Sequence, residues 1–405
     1  MQIAHGFHLT YCTNIHAADG WDAVLANIRR YAPALKARLS PAAPFGIGLR
    51  LSAREARELR DGGRLRDLRT FLDDEGLYVA IINGFPYGHF HGRPVKADVY
   101  APDWRDNARV DYTIDLAHIL AALLPDGVDG GVSTAPLSYK PWMADATAAD
   151  WRDITRQVAR VAAEMARIRN ERGALIHLDI EPEPDCSIEN TDESVQFFTG
   201  QLMPHGAPAL AAEMGLTEET ARELLREHVK LCFDCCHFAV EYEDPAEALR
   251  QLAAAGIGIG RVQLSSALTV DFPQSGAESE DVSRVLSRFA DATYLHQVVE
   301  RQPHGLTHYP DLDVALGRPG GTAGREWRIH FHVPLFAREY ETFGSTQDYV
   351  RKVLALAAAA PFTRHLEIET YTWDVLPPGL KVDLLESIAR EYEWVLEAGR
   401  CEIED

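Results

Sequence analysis

The sequence is short of positive charge, poor in cysteine and without a long apolar run, and each shortage excludes something. Lys and Arg number 40 against 61 Asp and Glu, for a formal net charge of -21. A surface that acidic repels phosphate backbones and anionic lipid, so no nucleic-acid partner is expected. No stretch approaches the roughly 20 apolar residues of a membrane helix, so no membrane insertion is expected either. The start, Met1-Gln2-Ile3-Ala4-His5, has neither a basic n-region nor an apolar h-region, which points to the cytoplasm. Only six cysteines occur, and three of them (Cys232, Cys235, Cys236) crowd into one pentapeptide. That is no disulfide framework, and it agrees with a reducing compartment. The Cys232-x-x-Cys235 spacing has no second pair and reads as small buried side chains.

What is there is a run of short apolar segments separated by amphipathic helical patterns. Eight candidate strands stand at Phe7–Cys12, Phe45–Leu51, Tyr78–Asn83, Gly130–Ala135, Leu175–Ile180, Leu231–Asp234, Arg261–Ser265 and His365–Thr370. The clearest helix shows Trp151, Ile154, Val158, Val161, Met165 and Ile168 on one face, with Gly173 placed for a C-terminal cap. Ser52-Ala53-Arg54-Glu55 fits a capping box, and Asp244-Pro245 a cap followed by proline. Eight strands alternating with helices predict a (β/α)8 TIM barrel of the α/β class. An open doubly wound sheet would want a glycine-rich turn after its first strand, where Tyr11-Cys12-Thr13-Asn14-Ile15-His16 stands instead. We read residues 1–405 as one barrel. Residues 266–363 are too long for a connecting helix and are expected to form an inserted hairpin after the seventh strand. Its flanks are Ala292–Val299 and Trp327–Leu335, around a turn-rich piece with Pro310, Pro319, Gly320 and Gly321.

In such a barrel the chemistry gathers at the C-terminal ends of the strands. The fifth strand runs out as His177-Leu178-Asp179-Ile180-Glu181-Pro182-Glu183, with His177, Asp179 and Glu181 on one side. The sixth ends in Asp234-Cys235-Cys236-His237, whose Asp and His suit a divalent cation. The eighth carries Glu367 and Glu369 into an aromatic loop that includes Trp373. Glu369, nearer the end, is the functional candidate; Glu367 is expected to pair with a basic residue deeper in the barrel. Gln263 stands on the seventh strand, and His332 is the best of the histidines in the insertion. His8 and Tyr11 on the first strand, Arg50 on the second and Asn83 on the third add groups suited to a polyhydroxylated or carboxylated small molecule.

Glu181-Pro182, Asp234-x-x-His237 and Glu369, in that order, resemble the xylose-isomerase-like barrel superfamily of sugar isomerases and epimerases. The resemblance implies a divalent metal (Mn²⁺, Zn²⁺ or Mg²⁺) held by Glu181, Asp234 and Glu369. It departs at Gln263, where a histidine belongs, so either an amide oxygen serves or a residue such as His332 completes the shell. Tyr11–His16, the stretch 83–88 and His365–Trp373 more narrowly resemble the bacterial Ebo-type metabolite traffic proteins, which implies pathway proteins as partners. The activity implied is proton transfer next to a carbonyl through an enediolate, with Glu181 and Glu369 as the catalytic pair. His8, Tyr11, Arg50, Asn83, His237, His332 and Trp373 would bind the small-molecule substrate. A non-catalytic barrel that carries a metabolite, or a metal-dependent hydrolase or lyase, are the competing readings. The oligomeric state is left open.

Overall fold

Seven strands alternate with helices from the start of the chain: β1 (His8–Tyr11), β2 (Phe45–Arg50), β3 (Leu77–Asn83), β4 (Gly130–Thr134), β5 (Ile176–Ile180), β6 (Val229–Asp234) and β7 (Ile259–Leu264). Six strands follow in a block: β8 (Ser266–Asp271), β9 (Val298–Gln302), β10 (Gly305–Tyr309), β11 (Glu326–Val333), β12 (Glu339–Tyr340) and β13 (Phe343–Ser345). The last is β14 (His365–Ile368). The computed structural model describes all residues except 92–93, 291, 319–321, 341–342, 375–382 and 402–405.

The first seven strands and β14 lie side by side in the order β1-β14-β7-β6-β5-β4-β3-β2, every pair parallel. A bridge between Cys12 and Gly48 joins the outer strands β1 and β2, so the sheet curls into a nearly closed eight-stranded barrel. All eight expected strands are present. The helices between them follow the sequence signals. Thr147 and Asp150 form a capping box at the start of the helix Ala148–Arg172, and Gly173 ends it at φ 73°, a left-handed turn that costs glycine little. Ser52 and Glu55 cap Ala53–Arg60 in the same way. Ile154, Val158, Val161, Met165 and Ile168 are buried, as the 3.6-residue period demands.

The insertion is more than the expected hairpin. Its strands form a second, antiparallel sheet of six in the order β10-β9-β11-β8-β13-β12. The two expected flanks do pair, Trp327 opposite Glu300 and Ile329 opposite Val298. The first begins at Val298, however, and β8 and β13 extend the sheet on the far side of β11. Pro319, Gly320 and Gly321 of the turn-rich piece, and Gly92 after β3, lie outside the described residues. Only Ser265 separates β7 from β8. The second sheet is therefore anchored at the C-terminal mouth of the barrel. Opposite Ala267 the ladder breaks: β11 spends residues 330–332 on the span that β8 crosses with one. Such a bulge re-aims side chains beside functional sites. No helix among the described residues is long and apolar enough to cross a membrane.

Candidate active site

The barrel interior is built in layers. In the lower one, β5 supplies Asp179, β14 supplies Glu367 and β7 supplies Arg261, all fully buried. The guanidinium donates to Asp179 Oδ2 at 3.0 Å and to Glu367 Oε2 at 3.1 Å. Its remaining N–H groups reach the carbonyls of Ile82 (3.1 Å) and Gly131 (2.6 Å). Glycine makes the room: a Cβ at Gly48 would collide with Glu367, and one at Gly131 or Gly260 with Asp179. Burial raises Asp179, but His177 and Arg261 outweigh it and hold the group below the ordinary carboxylate range. Burial also raises Glu367, and here Arg261 offsets only part. Glu367 is thus structural, paired with a base inside the barrel as expected.

One pleat higher, Glu181 and Glu369 leave β5 and β14, their amides still bonded to Thr134 and Leu264 carbonyls. With Asp234 at the end of β6 they form a second set of buried carboxylates. No Lys or Arg among the described residues forms an ion pair with any of the three. Burial raises Glu181 well above the usual range, and the charges of Glu369 and Asp234 push it further. Burial, then Asp234 and Glu367, do the same to Glu369. Asn14 and Asn83 both donate to Glu369 Oε1, at 2.7 and 3.0 Å. Asp234 Oδ1 accepts from the Ser265 hydroxyl (2.7 Å) and the His237 amide (3.0 Å). Glu181 Oε2 and Asp234 Oδ2 are buried without a hydrogen-bond partner. Buried carboxylate oxygens of that kind cost too much unless something positive meets them.

Histidines close the ring. His332 Nδ1 donates to the Glu369 carbonyl at 2.7 Å, which leaves Nε2 as a lone pair, buried and unpartnered. Burial, against the pull of Asp234, lowers His332 to about 4, so the ring stays neutral and able to ligate. One ligand atom each from Asp234, His237 and His332 lies within 4.8 Å of the others. A backbone carbonyl behind a metal-ligating imidazole is the usual support for such a ligand. The donor set therefore fits a divalent cation, with Glu181, Asp234, Glu369 and His332 as the residues that would hold it.

These groups open into a cleft. Asn83, Glu181, His237, His332 and Glu369 all line it, together with the rings of Phe85, Phe90, Tyr100, Tyr294 and Tyr371. Other expected site residues are elsewhere. His8 begins β1 beside His365 and bonds Tyr78 Oη at 2.9 Å, at the opposite end of the barrel. Tyr11 faces the helical layer and meets His16 Nε2 at 3.2 Å. Arg50 is turned onto Glu55 (3.2 Å) and the Gly88 carbonyl (2.5 Å), tying a helix start to a loop. Trp373 lies in the turn Thr372–Asp374 and packs near Phe336, outside the cleft. Gln263 is also displaced from its expected part: its Oε1 accepts the Cys232 thiol at 3.0 Å, inside the barrel wall. The bulge of β11 brings an imidazole, that of His332, to the same cleft.

Sequence reasoning noted Asn14 and His330 without choosing them, and singled out neither Glu183 nor Gln297. Glu183 stood two residues past Glu181, and His330 two before His332, so the same period of two could have found both. Gln297 carried no signal, because only the second sheet brings it to the mouth.

No family model matches the sequence, and no curated protein matches it. The fold has clear counterparts among solved structures. A xylose isomerase-like TIM barrel protein from Mycobacterium smegmatis, in complex with magnesium, aligns over 100% of both chains at 13% identity and a TM-score of 0.54. A D-tagatose 3-epimerase-like protein aligns over 98% of both chains at 10% identity and 0.47. The probable 3-DHS dehydratase of petrobactin synthesis from Bacillus anthracis covers 95% of this chain and 98% of its own at 13% identity and 0.46. The first of these shows the fold, that of the xylose isomerase-like TIM barrels; the other two superpose too loosely to add to it.

Proposed function

We propose that the chain is a divalent-metal-dependent isomerase or epimerase of a sugar or similar polyhydroxylated metabolite, working in the cytoplasm on an Ebo-type secondary-metabolite pathway. The observation that carries the reading is the upper carboxylate set. Glu181 and Glu369 face one cleft and, among the described residues, form no ion pair with a Lys or Arg; beside them are the unpartnered atoms Asp234 Oδ2 and His332 Nε2. The pathway rests on the resemblance of Tyr11–His16, the stretch 83–88 and His365–Trp373, and the compartment on the five cysteines that are free and buried among the described residues.

A divalent cation held here supplies a Lewis acid that acidifies hydrogen on a carbon beside a carbonyl. Glu181 takes that proton and Glu369 returns one on the other face, or the reverse, through an enediolate. Asn14 and Asn83 both hold Glu369 Oε1 and leave Oε2 for the proton. His237, tied by Nδ1 to the Pro182 carbonyl at 2.7 Å, keeps a fixed orientation toward the substrate's oxygens. The aromatic wall gives the apolar edges of a ring-shaped or extended polyol a surface and thins out water. Imidazole suits Zn²⁺, and a carboxylate majority suits Mn²⁺ or Mg²⁺.

The test is exchange of substrate hydrogen with D₂O, read by NMR, over a panel of ketoses and aldoses with added Mn²⁺. The wild type should label the carbon beside the carbonyl. Glu181→Gln should lose roughly 10²–10⁴-fold of that rate with an unchanged far-UV spectrum. Equal rates would reject the role. A metal-free protein that binds the panel without exchange would favour the metabolite carrier.

A further inference from the structure

The opposite end of the barrel gathers ligating side chains that the proposed reaction does not use. Asp129 immediately precedes β4, His177 is the second residue of β5 and His365 the first of β14, so all three stand at the N-terminal ends of their strands, away from the cleft. His177 and His365 are fully buried, while Asp129 keeps an edge in solvent. His365 stacks on His8 at 5.6 Å, and His8 and Val128 line a depression that opens beside the group. Glycine makes room for the His177 ring: a Cβ at Gly131 would stand 2.7 Å from its Cε1, and one at Gly260 2.8 Å from its Nδ1.

The two rings face Asp129 without bonding it. His177 Nε2 lies 3.5 Å from Asp129 Oδ2 and His365 Nε2 lies 3.4 Å from Oδ1, and neither nitrogen has a hydrogen-bond partner among the described residues. A charge-assisted hydrogen bond would draw nitrogen and oxygen to about 2.7–2.9 Å. His177 makes such a short contact on its other side, where Nδ1 meets Asp179 Oδ1 at 2.5 Å. Nδ1 therefore carries hydrogen, and in the neutral ring Nε2 is a lone pair. The spacings of 3.4 and 3.5 Å match the edge of a ligand tetrahedron instead, since donors at about 2.0–2.1 Å from zinc are about 3.3 Å apart. One ligand atom from each of Asp129, His177 and His365 lies within 4.8 Å of the others. The Asp179 carboxylate behind His177 is the support a metal-ligating imidazole usually has, and Arg261 holds that carboxylate in turn at 3.0 Å. Arg364 Nη1 and Lys230 Nζ also approach Asp129, at 3.4 Å from Oδ1 and 4.0 Å from Oδ2, but neither bonds a ring nitrogen.

We propose that Asp129, His177 and His365 form a zinc site at the N-terminal end of the barrel. It does not rest on the proposed function and shares no ligand with the carboxylate centre of Glu181, Asp234 and Glu369. Two imidazoles and one carboxylate select zinc over magnesium. The ion ties the starts of β4, β5 and β14 together, and its binding free energy adds to that of folding.

The full chain, stripped of metal, reloaded with Zn²⁺ and freed of excess, should hold two zinc ions by mass spectrometry of the element, one at each centre. His365→Ala should hold one, and so should Asp129→Asn, which keeps the shape of the side chain should the first fail to fold. One ion in the wild type that both variants lose would keep this site and overturn the carboxylate centre. An equal count of one or two in the wild type and both variants would overturn this site alone. None in the wild type would overturn both.

Discussion

Asp179 and Glu181 stand two residues apart along β5 and its end, as do Glu367 and Glu369 along β14, yet the two layers live in opposite surroundings. In the lower layer the neighbouring charges work against burial: Arg261 bridges Asp179 and Glu367, and His177 holds Asp179 at 2.5 Å. In the upper layer the nearest carboxylates add to burial: Glu369 and Asp234 push Glu181 up, Asp234 and Glu367 push Glu369 up, and Arg261 offsets only part. A folded chain tolerates the first arrangement as it stands. The second asks for a cation from outside, which is the physical difference between a carboxylate that holds a barrel together and one that is available for chemistry.

The largest effect that should follow is on the lower layer. Arg261→Met leaves the buried Glu367 without its charged partner and Asp179 with His177 alone, and should cost about 3–5 kcal/mol, read as a shift in the urea midpoint. A wild-type midpoint would erase the distinction between the layers. In the metal-free chain the upper layer should respond with the opposite sign. Glu181→Gln removes a repelling charge and should raise stability at pH 8 by about 1–3 kcal/mol. A loss instead would mean that Glu181 is already neutralised.

Glu391 sharpens the contrast from outside both layers. It is buried, with the Thr370 hydroxyl at 2.6 Å, the Leu335 amide at 3.1 Å and no charged partner among the described residues, and burial pushes it up to about 7. Its folded value lies above the unfolded one, so the native state holds the extra proton between about pH 4.5 and 7. Stability should therefore fall as pH rises through that window, by about 1–3 kcal/mol, and Glu391→Gln should flatten the slope between pH 5 and 8. The smallest effect belongs to the surface. Arg38, which bonds the exposed Glu386 and Glu393, should change stability by about 0–1 kcal/mol on replacement by Ala.

The barrel was legible because its strands and helices announce themselves locally, through apolar runs, the 151–168 stripe and the caps at Ser52 and Asp244. Glu181, Asp234 and Glu369 were legible because a strand's C-terminal end tells where its side chains go. The period of two does not say which end of a strand a residue occupies relative to the mouth, and this misplaced His8. Nor does it say which way the last side chain of a strand turns, which misplaced Arg50. Tyr11 was misread because it is Cys12, the residue immediately after β1 and beside Glu367, that faces the barrel interior. The long-range part was hidden: nothing local in 266–363 announces a six-stranded sheet or a bulge that carries His330 and His332 over the cleft, so the substitute for Gln263 could be named but not placed.

Diffraction from crystals of the full chain grown with Mn²⁺, measured for anomalous signal, tests the central claim most directly. A peak bounded by Asp234 Oδ2, His332 Nε2 and the carboxylates of Glu181 and Glu369 is the predicted result. A map with no peak there, and with those carboxylates bonded to lysine or arginine instead, would contradict it.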